Sequence, residues 1–437
     1  MIGFLFACLT VIASSGYGLR FLKKLFDGFD PATRVGGSML IGTGLLGTLT
    51  LFIGFIPGGY HWGFFAIFLP ILVVGLVFLF LAIRDSTDLR ISKSKTFLLE
   101  KLALIVIVVG MLFALVGVLM PSTANDWDSI AYHMADPKTY LIWGEIHRII
   151  YDHHSNFPSA MELLFVWTLR FGQSGAKGIL WWMSLAGVIA IFGLARQRYS
   201  QKAGWWAALA FLFVPTVLWE TGSAYIDIVH GLYTGLGVIV LALEAERIWN
   251  EKSSMRVDRM VLAGLFIGLS CGTKYTGLET GFLAFVIFFL LTFLIRESQS
   301  LKGVGITAGV SFLTAGAWYI KNIILVGNPV YPFAFETFGG KFWDEKRALI
   351  YHNEQLGFGV GVSPNGKHWG EIGHAILGLA YQPGRYVNPL ETVGGGTPLG
   401  AVDSPKSRGL ERNIQKLDHK AQHMNEEAKT SSHRKLL

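Results

Sequence analysis

Residues 125–164, NDWDSIAYHMADPKTYLIWGEIHRIIYDHHSNFPSAMELL, hold six carboxylates and four histidines. Side chains of these types, packed this densely, can move protons or hold a cation. On a helix Asp128 has Tyr132 one turn below it, while Ser129, His133 and Asp136 share a neighbouring stripe. His133 and Asp136 are spaced to reach one divalent ion, so a divalent metal is a candidate cofactor. His153 and His154 are adjacent, which directs their side chains apart and reads as surface solvation. Glu162 reads as a solvated face residue. Two further charges stand out: Asp227 closes the segment ETGSAYID, and Lys274 lies between two apolar runs.

The elements that must position these groups have membrane length. The 437-residue chain is 52% hydrophobic and only 15% charged, against roughly 25% charged in soluble domains. Several apolar runs reach the roughly 20 residues a helix needs to cross a bilayer. Long apolar runs satisfy their backbone as helices rather than as a barrel, so the fold class is an all-α, polytopic transmembrane bundle. About ten spans are expected, near 3–19, 36–56, 63–83, 101–120, 178–195, 204–219, 228–246, 259–272, 278–295 and 303–320. The N-terminal run lacks the positive start of a cleaved signal peptide and reads as a retained first span. Cys8 and Cys271, both in apolar runs, frame neither a disulfide network nor a zinc site.

The net charge of +7 does not indicate nucleic acid, because the basic residues sit in short connections between spans. One alternating set carries Arg20, Lys23, Lys24 and Arg34, then Arg84 to Lys101, then Arg196, Arg198 and Lys202, then Arg247 to Arg259, then Arg296 and Lys302. The other set includes PGGYHW and ETGSAYID, without lysine or arginine. By the positive-inside rule the basic set is cytoplasmic. The 121–177 loop, the Glu220–Asp227 turn, Lys274 and the segment after residue 320 then share the extracytoplasmic face of a cell membrane. Within the loop, Asn125 or Asp126 caps a short helix that Pro137 stops near Asp136. A second helix starts at Ser155 or Asn156, and MELLFVWTLRF lies in the interface plane.

The expected organisation is accessory spans over 1–100, a membrane core over 101–337, an extracytoplasmic loop over 338–400 and a polar tail over 401–437. The tail has no Phe, Trp or Tyr, with eight basic and five acidic residues. It reads as disordered or as an aberrant C-terminus.

Four stretches, in order, resemble one family. WDSIAYHMADPKTYL is similar to the first extracytoplasmic loop of the GT-C glycosyltransferases, among them protein O-mannosyltransferase-like, aminoarabinose transferase-like and galacturonic acid transferase enzymes. SAYIDIVHGLYTGLGV resembles their second acidic turn, GLFIGLSCGTKYTGL their Gly-Leu…Thr-Lys segment, and WYIKNIILVGNPVYPF their Gly-Asn-Pro-x-Tyr-Pro run. The resemblance spans 101–337. It departs from the family in having three spans before the loop, and in lacking the family's C-terminal spans.

The resemblance implies inverting transfer of a sugar from a polyprenyl-phosphate donor to a lipid, glycan or protein acceptor. Membrane lipid and the lipid-linked donor are then the partners, and nucleic acid is not. Asp128 matches the first-loop acid and becomes the candidate base, which would take the acceptor's proton. Asp227 matches the second acid and would position the acceptor or share a metal. Lys274 would neutralise the carrier phosphate, with Lys138 or Lys321 as substitutes. Tyr132, His133, Asn328 and Tyr331 join the donor-binding set.

Plainer roles are open to each. Asp126 and Asp128 can be helix caps, Lys274 an interfacial anchor, the tyrosines belt aromatics, and GNPVYP a rigid turn. Two other functional classes stand beside the transferase: a secondary transporter, against which the one-sided acids and absent repeat argue, and a non-catalytic scaffold.

Overall fold

The computed structural model describes residues 1–85, 98–124, 126–294 and 298–357, and two short strands beyond them. Asn125, Arg90, Lys93, Lys95, Arg296, most of the 358–400 loop and the 401–437 tail lie outside the described residues. The chain divides into two compact units, 1–330 and a second starting at Tyr331.

Among its described residues the first unit contains helices and connecting turns and no strand. Its helices are α1 (Ile2–Phe21), α2 (Pro31–Gly54), α3 (Gly59–Gly63), α4 (Leu69–Arg84), α5 (Leu98–Leu119), α6 (Ala135–Trp143), α7 (Phe165–Thr168) and α8 (Gln173–Arg198). There follow α9 (Gln201–Leu212), α10 (Pro215–Glu220), α11 (Asp227–Glu251), α12 (Val257–Thr273), α13 (Thr276–Leu294) and α14 (Ser300–Val326). A π-helical turn, Phe64–Phe68, joins α3 to α4, so Gly59–Arg84 runs as one long apolar helix.

Among the described residues, eight helices are long and apolar enough to cross a membrane. Two of the ten expected spans fall short. Residues 204–219 are divided between α9 and α10 by a break before Pro215, whose ring and missing N–H cannot continue the preceding helix. Residues 259–272 lie within the 17-residue α12.

The bundle has two distinct ends. At a basic end, Arg196 of α8 holds Asp30 at the start of α2 through two nitrogens, at 2.7 and 2.6 Å. Arg20 reaches Asp85, and Arg259 donates to the Asp27 carbonyl. At the opposite end lies the segment joining α5 to α8, here called the loop end. There Lys177 Nζ ties the α8 N-terminus to the carbonyls of Gly117 in α5 and of Met120 just past its end. Ala160 N donates to Gly272 O of α12, and Ile146 N to Gly54 O of α2. Ala224 N donates to Ser129 Oγ, which brings the Glu220–Asp227 turn to the same end.

The loop departs from expectation in three places. Pro137 does not stop a helix. A π-helical turn, Ser129–His133, is followed by α6, and Pro137 occupies the first turn of α6, where a missing N–H leaves no bond unmade. No α-helix begins at Ser155; residues His153–Asn156 form one 3₁₀ turn. MELLFVWTLRF does not lie in the interface plane either. Leu163 to Thr168 are buried on every side, and Trp167 Nε1 donates to Thr50 Oγ1 of α2 at 2.9 Å. The segment is apolar around its whole circumference rather than on one stripe, the signature of a core element. Gly47 makes room for it, since a Cβ there would stand 2.1 Å from the Ala160 carbonyl oxygen.

In the second unit, α15 (Phe335–Phe338) and α16 (Glu345–Gly357) are followed by two-residue strands β1 (Val362–Ser363) and β2 (Gly366–Lys367), paired antiparallel. Tyr331, at its start, is buried with its ring 5.6 Å from that of Trp343.

Candidate functional site

Asp128 stands at the mouth of the loop, partly buried, and makes no side-chain cap to the turn that follows it. Its Oδ2 accepts from Tyr132 Oη at 3.0 Å, and its backbone N–H donates to Tyr225 Oη at 3.1 Å. Tyr132 is one turn away, as the helical spacing requires; Tyr225 comes from 97 residues further along. Burial raises the Tyr132 phenol, and the charge and hydrogen bond of Asp128, with the charge of Asp227, raise it further, so it stays a donor. Asp128 and Asp227 therefore act on one side chain, which joins the two expected acidic elements in one field.

Asp227 opens α11 and accepts from Lys274 Nζ at 2.5 Å. The pair is accessible, at 42% and 35% side-chain exposure. Lys274 caps the end of α12 in extended conformation, which lets its side chain turn back to α11. Beside Asp227, Glu220 is buried and its Oε2 has no hydrogen-bond partner.

His133 and Glu162 form the most deeply buried polar pair of this end. Nδ1 and Oε1 are 2.5 Å apart, at 1% and 6% side-chain exposure. Burial pushes the imidazole down to about 4 and the carboxyl well above its usual range. Both directions favour an uncharged pair in which the Glu162 carboxyl donates to Nδ1. His133 Nε2 and Glu162 Oε2 have no partner. Glu162 is thus not a solvated face residue: it enters the core with the buried segment that follows it.

Asp136, proposed to share a metal with His133, has other neighbours. Burial, with help from Asp152 and Glu162 and against Lys321, pushes it up to about 9. Lys138 is exposed on α6. Asn328 is fully buried, and its Oδ1 accepts from Val330 N at 2.9 Å, the turn that GNPVYP was expected to make. Tyr331 belongs to the second unit.

Around the HHSN turn lie residues that sequence reading missed, together with Lys321, which it had placed at the carrier phosphate. Trp318, Lys321 and Asn322 of α14 aim three donors at it. Lys321 Nζ donates to Ser155 O at 2.9 Å, while Trp318 Nε1 and Asn322 Nδ2 donate to Asn156 O at 3.1 and 2.7 Å. Tyr275 Oη adds a third bond to Asn156 O, and Tyr140 Oη a second to Ser155 O. Lys321 is fully buried and 4.0 Å from the centre of the Trp318 ring, so it is an anchor and not a substitute for Lys274. The WYIKN spelling of α14, four polar-tipped residues within five positions of an apolar helix, was the available signal.

Held this way, His153 and His154 do not point apart. Their ring centres are 4.0 Å apart, and with Asp152 their ligand atoms all lie within 4.8 Å of one another. Successive residues of a 3₁₀ turn are 120° apart, and the rings lean together across that angle. His154 also stacks on Tyr132, at 4.4 Å and 10°.

A cavity of about 430 Å³ leaves this end along α11, bounded by Glu220 and Asp227 at the loop end and by Leu232, Leu236 and Ile239 deeper in. From Asp227 to Ile239 it spans roughly 18 Å of helix. Gly231 and Gly235 line it, and a Cβ at either would meet open space.

Comparison with known proteins adds one finding. The family described as "Domain of unknown function (DUF8201)" matches residues 238–357. That stretch includes Lys274, Tyr275 and the WYIKN donors, but neither Asp128 nor Asp227. No curated protein and no solved structure matches the chain.

Proposed function

We propose that this chain is a membrane glycosyltransferase of the GT-C kind, moving a sugar with inversion from a polyprenyl-phosphate donor to a lipid, glycan or protein acceptor. The observation that carries this reading is the apolar cavity that begins at Asp227, Glu220 and the adjoining Lys274 and runs along α11 into the apolar body of the bundle. An isoprenoid chain lying there puts its phosphate beside the lysine.

Exposed ion pairs contribute roughly 0–1 kcal/mol, so Lys274 exchanges Asp227 for a phosphate at little cost. Asp227 is then free to orient the acceptor. Asp128, fixed by the Tyr132 hydroxyl on Oδ2, takes the acceptor proton as the acceptor oxygen or nitrogen bonds to the anomeric carbon. The glycosidic C–O electron pair leaves with the phosphate, and Lys274 offsets its charge. In this reading α9–α10 and α12 also cross, because each returns the chain to the loop end, giving ten crossings. The positive-inside rule places the loop end outside the cell membrane.

The test is purified wild type against Asp128→Asn, measured for sugar release from a panel of polyprenyl-phosphate sugars supplied with acceptor extracts. Loss of a general base lowers turnover by about 10²–10⁴-fold while donor binding persists. Equal turnover in the two proteins, or no donor binding in either, would remove the assignment.

A further inference from the structure

We propose that Asp152, His153 and His154 bind a divalent transition-metal ion, with one or more coordination positions left open. Two imidazoles and a carboxylate suit zinc, cobalt, manganese or iron(II) rather than magnesium or calcium, which prefer all-oxygen shells. The three ligand atoms lie within 4.8 Å of one another. Ligands on one tetrahedral ion at roughly 2.0–2.1 Å stand about 3.3 Å apart, so modest side-chain rotation closes the set. Three protein ligands leave the open position typical of catalytic sites rather than the closed shell of structural ones.

The backbone beneath these ligands is fixed in advance. Asp152 Oδ1 accepts from His154 N at 2.9 Å and approaches His154 Nδ1 at 2.7 Å, which sets the turn and orients that ring. Five donors from α6, α14 and Tyr275 converge on the next two carbonyls, those of Ser155 and Asn156. A capping turn alone requires none of these five. A rigid support of this kind is what a metal site needs in order to hold adjacent histidines convergent. The site is also coupled to the acids: His154 stacks on Tyr132, whose hydroxyl holds Asp128. Binding is read without any sugar or lipid, so it stands or falls apart from the proposed transfer reaction.

Full-length protein in detergent, stripped with a chelator, would be titrated with Co²⁺ and followed by its visible ligand-field absorption. The expected result is saturable one-to-one binding, displaced by Zn²⁺. Affinity should fall at least about tenfold in His153→Ala and in His154→Ala but not in His352→Ala, a histidine of the second unit. Asn322→Ala touches no ligand and should weaken binding by loosening the turn. Should an alanine variant fail to fold, His153→Gln and Asp152→Asn carry the same comparison. Absence of cobalt bands at millimolar metal, or bands that survive loss of all three ligands, would overturn the proposal.

Discussion

The two ends of the bundle treat charge in opposite ways. At the basic end, carboxylates are matched with cations: Asp30 with Arg196, Asp85 with Arg20 and Arg84, Asp258 with Arg256, Glu244 with Arg247. At the loop end the buried groups are left wanting. Asp126 Oδ1, His133 Nε2, Glu162 Oε2 and Glu220 Oε2 are buried without a partner. Among the described residues the unpartnered carboxylate oxygens all lie at this end. A buried polar atom left unsatisfied costs about 1–3 kcal/mol, so a set of them at one end marks stability forgone there. The proposed function rests on this difference: carboxylates at the basic end are matched with cations, while the unpartnered buried carboxylate oxygens gather at the loop end.

That contrast can be broken or sharpened by substitution. Asp128→Asn should have the largest effect, the turnover loss described above, with the thermal midpoint in detergent nearly unchanged. Arg196→Ala should do the reverse. It strands a largely buried Asp30 and should cost on the order of 3–5 kcal/mol of stability, with donor affinity intact in the fraction that stays folded. A mild effect of Arg196→Ala would mean that the basic end is no more committed to stability than the other.

Glu162 separates an uncharged pair from an ionic one. If the carboxyl donates to His133 Nδ1, Glu162→Gln keeps a donor there and costs less than about 1 kcal/mol, while Glu162→Ala costs about 1–3 kcal/mol. Equal, large losses in both variants, measured by chemical or thermal unfolding, would show a buried ion pair instead. Gly235→Leu projects into the cavity from a position where a Cβ meets open space, and a helix-favouring residue replaces glycine, so stability should hold or rise by up to about 1 kcal/mol. Donor affinity, by lipid-binding titration, should fall at least about tenfold, equivalent to about 1.4 kcal/mol. Unchanged affinity would separate the cavity from the charged site.

The last expected effect is on pH dependence. Asp136 titrates at about 9 in the folded chain against 3.8 for the ordinary side chain. Between those values the folded chain retains a proton that the unfolded chain has lost, so stability falls as pH rises through that window. Asp136→Asn has no proton to lose and should flatten the decline in thermal midpoint between about pH 5 and about pH 8. An identical decline in both proteins would assign the pH dependence to other groups.

Much of the frame was legible from residue order alone. Eight of the ten expected spans are long apolar helices, because hydropathy over some twenty residues is a local property that lipid reads directly. The Asp128–Tyr132 contact was also legible, since residues four apart on a helix must meet. The other two expected spans were misjudged in extent: Pro215 divides one, and the other is short.

Partners separated by long stretches of chain were beyond that reach. His133 meets Glu162 across 29 residues, Lys274 meets Asp227 across 47, and the α14 donors meet the HHSN turn across 162 to 166. Without those donors, adjacent histidines have no reason to converge, and without the Gly47 gap an apolar segment has no route into the core. The sequence by itself determined which segments form the long apolar helices and which charges exist, because both depend on near neighbours. Only the tertiary structure decided which charges are paired, which are left unsatisfied and where they gather, because burial and partnership are set by the packing of distant helices.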